Sequence, residues 1–370
     1  MRATALAPPP SAPRAAPPGD LREFVGRLEA RDHLTRVRET VDWRCELGAR
    51  ARAERAPLLF TAIRGYPGWR LFVNGLFGPA AIALALGLDP EAPDRALAAA
   101  CRRRLAAPVA PVMAPSAPLL ACVAEGGAVD LLRLPVPQWS AQDAGRYLGT
   151  WHLNITRDPE TGERNVGVYR MQVLGPARAT VNAMAGTGLG AHLAKAERSG
   201  QPLPMAVAIG VPESCVIAGA ASCPRGMDEY VLAGALQQAP VELLRLEASG
   251  LDVPAGAEIV IEGRILPGRR ARDGPFFDYC GHVQTQQAAP VFAADRILMR
   301  EGAIFRGAAV GVAGGEDHQL FAFLAQLGLV DFHGSRGKQR LQNVLWKHRR
   351  FRAIQAMGQA RRALFPRRRS

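Results

Sequence analysis

Apolar residues recur at helical spacing near the start of the chain, where Leu21, Phe24, Val25 and Leu28 fall on one face of LREFVGRLEARDHLTRVRE. PLLFTAI (57–63) and WRLFVNGLF (69–77) then read as short strands joined by the turn RGYPG. GPAAIALALGL (78–88) and PDRALAAACRRRLAA (93–107) read as Ala-rich helices. Together they predict an N-terminal α/β domain over residues 20–115, closed by the Pro-dense APVAPVMAPSAP. The texture then changes to recurring short β-rich runs: LLACVAE, GTWHLNITRD, NVGVYRMQVLG, MAVAIGV, CVIAGAA, VELLRLEA, AEIVIEGRI, PVFAADRILMR and AIFRGAAVG. Only GLGAHLAKAERSG and MDEYVLAGALQQ between them look helical, the second with acids in its first turn. Many short strands with few helices predict an α+β chain with a partly closed barrel over residues 116–312, rather than a doubly wound sheet. Residues 313–370 read as a helical, basic C-terminal segment.

Composition adds limits. At 370 residues and 48% hydrophobic content the chain can bury a substantial core, and no run of 18 apolar residues predicts a membrane span. Residues 1–19 form an Ala/Pro-rich stretch without the apolar centre of a signal peptide and are expected to be disordered. Six cysteines (45, 101, 122, 215, 223, 280) show no zinc-type spacing, which suggests reduced thiols in the cytoplasm. The formal net charge is +13, yet residues 331–370 alone hold twelve Lys/Arg and one Asp. The excess is therefore terminal, which disfavours nucleic-acid binding as the main role and reads first as a solvated basic helix.

The chemistry-bearing residues stand out against apolar strands. RNVGVYRMQV (164–173) sets Asn165 and Arg170 among residues suited to a buried sheet. A guanidinium buried without a partner costs several kcal/mol, on the order of the penalty for any buried charge, so Arg170 should meet an anion. Five positions apart, Asn165 and Arg170 would face opposite sides of a regular strand, unless Gly167 hosts a bulge or a close backbone approach. In RDGPFFDYCGH, Asp273 and Asp278 bracket a Gly-Pro turn that can fold two carboxylates together, where like charges raise one pKa. Glu247 sits in the apolar run VELLRLEA. Such acids are more often structural ion pairs than catalysts. Aromatic content of 6% offers no sugar platform for a glycosidase, and GTGLG (186–190) is not a dinucleotide loop. The seven histidines show no metal-ligand spacing among themselves.

PLLFTAIRGYPGWRLFVNGLFG, LPVPQWSAQDAGRYLGTWHLNITRDPETGERNVGVYRMQV, MDEYVLAGALQQAPVELLRLEASGLDVPAGAEIVIEG and RDGPFFDYCG resemble, in family order, the UbiD family of decarboxylases. The resemblance implies a split β-barrel following an α/β domain, and prenylated FMN bound with a divalent metal (Mn2+ or Mg2+) and K+. It implies loss or gain of CO2 at an aromatic or α,β-unsaturated carboxylic acid. Carried over, Arg170, Asp273 and Asp278 would be the catalytic Arg–acid–acid set, with Asp273 where many members have Glu. Asn165, Gly167, Val168, Tyr169, Arg170 and Glu247 would contact the cofactor, and Asn165 and Glu247 the metal. The family's third metal ligand, a His, falls at Gly186. Past GLVDF the sequence departs from the family's C-terminal domain, which implies a short member. The implied partners are a small-molecule acid, a prenyl-FMN synthase as cofactor supplier, and further copies of the chain in a homo-oligomer. The alternative is a catalytically impaired paralogue acting as a flavin-binding or partner subunit.

Overall fold

A computed structural model describes residues 16–223 and 227–330. The basic stretch 331–370 and most of the Ala/Pro-rich stretch lie outside the described residues. Helix α1 (Leu21–Glu29) begins where the Asp20 carboxylate accepts a hydrogen bond from Glu23 N at 2.8 Å, and it buries the four predicted apolar residues. Strands β1 (Thr35–Val37), β2 (Leu58–Phe60) and β3 (Arg70–Val73) follow, with helices α2 (Glu46–Glu54), α3 (Pro79–Ala85) and α4 (Asp94–Leu105) around them. After β4 (Val112–Met113) and β5 (Cys122–Glu125) come β6 (Tyr147–Gly149), β7 (His152–Arg157), β8 (Arg164–Gly167), β9 (Met171–Gly175) and β10 (Arg178–Thr180). Helix α5 (Gly188–Arg198) leads to β11 (Leu203–Ile209), then α6 (Glu213–Ala220) and α7 (Glu229–Gln237). Strands β12 (Glu242–Arg245), β13 (Asp252–Pro254), β14 (Ile259–Phe277), β15 (Val283–Met299) and β16 (Ile304–Arg306) precede helix α8 (Glu316–Leu327).

The centre is a nine-stranded sheet in the order β6-β9-β10-β15-β14-β11-β7-β8, with β5 added to β15 and every pairing antiparallel. Its curl comes from the long β14–β15 hairpin, whose register shifts at four places. Register also sorts side chains between faces. Phe292 lies opposite Ile265, and Ile265 opposite Leu203, all buried in the apolar core. One residue away, Thr180 pairs with Val291 and both turn to the other face. That second face carries the site described below.

Three expectations need correction. CVIAGAA is part of α6, not a strand, because an apolar run of that length does not by itself distinguish a strand from a buried helix. Its Gly219 allows close approach: a Cβ there would sit 2.6 Å from Leu153 Cδ2 on β7. NVGVYRMQVLG is two strands, β8 and β9, with Val168–Tyr169–Arg170 unpaired between them. Finally, AIFRGAAVG does not extend the central sheet, since β16 pairs in parallel with β3. The N-terminal four-stranded sheet, in the order β1-β2-β3-β16, thus takes a strand from beyond the central sheet.

Candidate active site

The break between β8 and β9 lets Asn165 and Arg170 serve neighbouring places despite their awkward spacing. Gly167 closes β8 in tight contact with Tyr169, since a Cβ at 167 would lie 2.6 Å from the Tyr169 ring. Tyr169 N donates to Asn154 Oδ1 at 3.1 Å, which fixes the turn that aims Arg170.

Arg170 meets the anions its burial demands. Its Nε donates to Asp273 Oδ1 at 2.8 Å and its Nη1 to Asp278 Oδ2 at 3.1 Å. All three side chains are buried, and the guanidinium also stands 5.3 Å from the centre of the Phe276 ring. Asp273 accepts a second bond from Thr180 Oγ1 at 2.6 Å, so both of its oxygens are occupied. The Gly-Pro segment works as anticipated in kind, although it forms a bulge within β14 rather than a free turn. Gly274 has φ +102°, and a Cβ there would meet Gln284 O at 2.5 Å. Gly274 N donates to Gln172 Oε1, which also accepts from Tyr147 Oη, and Tyr147 stacks on Phe276 at 4.2 Å. Burial raises the Asp278 carboxyl above the usual carboxylate range, with Arg170 pulling it down and Asp317 pushing it up.

Asn165 lies at the end of this arrangement nearer α5 and α7. Its Nδ2 is buried without a partner, and its Oδ1 is 3.5 Å from Tyr169 Oη. Gly188, at the start of α5, leaves it room, because a Cβ there would fall 1.9 Å from Asn165 Oδ1. The carboxylate beside it is Glu229, not Glu247. Glu229 accepts from Val166 N at 3.2 Å, and burial pushes it up to about 7. Glu247 is exposed in the turn after β12, on the separate small sheet β13-β12-β4. The α7 start is pinned by Arg164, which binds Asp228 Oδ2 at 2.6 Å and Asp252 Oδ2 at 2.8 Å.

Gly186 has φ +86° and brings no side chain to the Asn165 place. His192 faces elsewhere, with Nδ1 2.9 Å from Thr156 Oγ1 and Nε2 3.9 Å from Asp158 Oδ2. Among the described residues no three His, Cys, Asp or Glu side chains converge as a metal cluster. Val168 and Tyr169 are half-buried in the β8–β9 link, where the sequence reading expected cofactor contacts.

Sequence reasoning missed Glu229, Thr180 and Asp317. The acids opening MDEYVLAGALQQ were read only as helix-start charges. Nothing in the sequence flags Thr180, whose role depends on strand register.

Residues 111–313 match the family described as the UbiD 3-octaprenyl-4-hydroxybenzoate carboxy-lyase Rift-related domain, and residues 25–101 match its N-terminal domain. The chain is 36% identical over 308 residues to a phenolic acid decarboxylase of Streptomyces sp. (strain D7), covering 79% of this chain and 64% of that protein. It superposes with a TM-score of 0.80 on a closed form of Sedimentibacter hydroxybenzoicus vanillic acid decarboxylase, at 30% identity and covering 84% of this chain and 68% of the other. An evolved dimeric form of the UbiD-class enzyme HmfF from Pelotomaculum thermopropionicum, solved with prFMN, gives a TM-score of 0.76 at 29% identity, covering 89% of this chain and 83% of the other. The sheet that carries Arg170, the family matches over both halves and these likenesses agree: the chain belongs to the UbiD family.

Proposed function

We propose that the chain carries the cofactor-binding and catalytic core of a non-oxidative, reversible decarboxylase of an aromatic or α,β-unsaturated carboxylic acid. The observation that carries this reading is the buried Arg170 held between Asp273 and Asp278 on a UbiD-family sheet. Domain boundaries near residues 20–115 and 116–312, a split-barrel description of the central sheet, and a cytoplasmic setting belong to the same proposal.

The residues present fit prenylated FMN with a hard divalent cation. Asn165 offers its amide oxygen, which has only a 3.5 Å contact from Tyr169 Oη, and Glu229 a carboxylate, while the unpartnered Asn165 Nδ2 can donate to a phosphate oxygen. Two oxygen ligands are enough for Mn2+ or Mg2+ when cofactor phosphate and waters complete the shell. Gly188 and Gly167 keep the backbone close around that place. K+ and a prenyl-FMN synthase as supplier follow from the same reading, as does assembly of several copies of the chain. Bound, the prenylated flavin would supply the electron-accepting ring that stabilises the electron pair left on carbon when CO2 departs.

The chain's own groups supply orientation and a proton. Arg170, fixed by Asp273 through two of its nitrogens, presents a planar donor edge to the substrate carboxylate. The carbon–carboxyl bond breaks with its electrons left on carbon, and Asp278 gives that carbon its proton. A carboxyl ionised at neutral pH would have no proton to give. Burial of Asp278 shifts it in the useful direction. Asp273 is bound by both Arg170 and Thr180, so its part is to hold Arg170 still.

The test is co-expression with a prenyl-FMN synthase, followed by mass and absorbance spectra and a CO2-release screen over aryl and α,β-unsaturated acids. Flavin uptake with CO2 release that Asp278→Asn abolishes is expected. Colourless protein that takes up no flavin sinks the proposal.

A further inference from the structure

The first turn of α8 is built against the segment that carries Asp278. Gly311 N donates to Asp317 Oδ2 at 3.0 Å, and a Cβ on Gly311 would sit 2.7 Å from Asp278 O. One glycine thus touches both the Asp317 carboxylate and the Asp278 backbone carbonyl. On the other side, His318 Nδ1 accepts from Gly314 N at 3.2 Å, so its Nε2 carries the hydrogen and donates to Tyr279 O at 2.7 Å. Tyr279 stacks on Phe321 of the same helix at 5.4 Å. The helix start therefore grips the backbone on the residue following Asp278 while placing a buried acid across from it. Asp317 is 3% exposed, and its Oδ1 is buried with no hydrogen-bond partner. Neither the proposed chemistry nor any ion pair closer than 3.9 Å uses this carboxyl.

We propose that Asp317 is a positioning residue that keeps the proton on Asp278, its own buried carboxylate set behind the Gly311 amide. The inference rests on the decarboxylase reading for its meaning, but not for its test. Charge bookkeeping supports it. Arg170 faces Asp273 and Asp278 directly, and Asp317 adds a third buried carboxyl that acts on Asp278 with no bond to Arg170. The other groups facing Asp278 do not restore balance. His318 is in the uncharged tautomer its bonds require, His282 contributes a backbone carbonyl to Asp278 N, and Tyr147 carries no charge. Arg52 of α2 is a further cation, with its guanidinium 5.7 Å from the Phe277 ring centre, but Asp143 and Asp317 share it and its Nη1 is spent on Trp139 O. A buried region with an excess of carboxyl groups holds a proton to higher pH than either acid would alone. Both Asp278 and Asp317 are raised by burial.

The experiment titrates the full chain labelled with 13C at the aspartate carboxyl carbons, comparing the wild type with Asp317→Asn and Asp278→Asn and checking each fold by thermal melting. In Asp317→Asn the Asp278 resonance should lose its proton at lower pH, by about one unit, a tenfold change in ionisation constant. Coupling is reciprocal, so Asp278→Asn should move the Asp317 resonance down by the same amount. An Asp278 titration that stays in place in folded Asp317→Asn overturns the proposal. If that variant does not fold, an unmoved Asp317 resonance in Asp278→Asn overturns it instead. In cofactor-loaded protein, the alkaline limb of kcat should move to lower pH by the same shift; a lower kcat with an unmoved limb would mark Asp317 as merely structural. Coupled titration without CO2 release from any acid would defeat the decarboxylase reading and leave the coupling standing.

Discussion

Replacing Arg170 by Met leaves two buried acids without their cation, and the outcome can be worked from the contacts. Asp273 is fully buried and would keep only the Thr180 hydroxyl, while Asp278 would keep only the Tyr279 amide. Removing one partner of a buried pair typically costs about 3–5 kcal/mol, because the remaining charge stays desolvated. The loss should depend on pH with a definite sign. Without the Arg170 charge that pulls it down, Asp278 in the folded chain holds its proton more tightly than in the unfolded chain. The penalty is then fully present near pH 7 and shrinks as pH falls towards the ordinary carboxylate range of about 4, where both states are protonated. Equilibrium unfolding of the two chains in denaturant across that interval measures the difference. Adding Asp273→Asn to Arg170→Met should recover more than half of the loss at neutral pH, since a neutral amide can still accept from Thr180. A loss that is the same at both ends of the interval, or a double variant no better than the single one, would show that Arg170 is not held by charge.

Glu229 sits at about 7 because of burial, so binding of Mn2+ to the full chain should strengthen as pH rises towards that value; calorimetry should show proton release there and none in Glu229→Gln. Gly188→Ala puts a methyl group 1.9 Å from Asn165 Oδ1, and displacing Asn165 should cost about 1–3 kcal/mol in stability and weaken Mn2+ binding, whereas Glu247→Gln should change neither. Arg306→Met should lower the unfolding free energy by about 3–5 kcal/mol, because it strands Glu213 and Glu316 in full burial, and Arg306→Met with Glu213→Gln and Glu316→Gln should be more stable than the single variant.

What could be read from the sequence was the part carried by local pattern. Helical spacing from Leu21 to Leu28 gave α1 because its apolar face repeats at 3.6 residues and Asp20 caps it. Arg170 with Asp273 and Asp278 was legible because a guanidinium in an apolar strand must be paired, and the Gly-Pro bracket supplied two acids. Glu247 misled for the same kind of reason: it follows an apolar run, yet β12 ends at Arg245 and leaves it exposed in the following turn. Glu229 was hidden because an acid in the first turn of a helix already has an ordinary explanation. The placing of β16 beside β3 depends on a long-range parallel pairing that no local signal records. Thr180 is bound to Asp273 only because β10 meets β15 in one register rather than the next.

The buried arginines follow one arrangement, and it says why the site can hold a proton. Arg164 joins Asp228 and Asp252, Arg170 joins Asp273 and Asp278, and Arg306 joins Glu213 and Glu316. Each guanidinium uses its fork to tie two acids to its own segment, which a single ammonium could not orient as well. One cation between two acids leaves an excess negative charge in each cluster. At Arg164 that excess is met by Arg157 and Arg245, both on Asp252. At Arg306, fully buried, burial raises Glu316, and the cluster serves to lock β16 and α8 onto the first sheet through the Asn74 and Leu76 amides. At Arg170 no second cation makes an ion pair with Asp273 or Asp278 among the described residues, and α8 instead adds Asp317. Two clusters are thus left short of positive charge: at Arg170 the proton this holds is the one the chemistry uses, and at Arg306 the cluster holds α8 in place and so keeps Asp317 where it is.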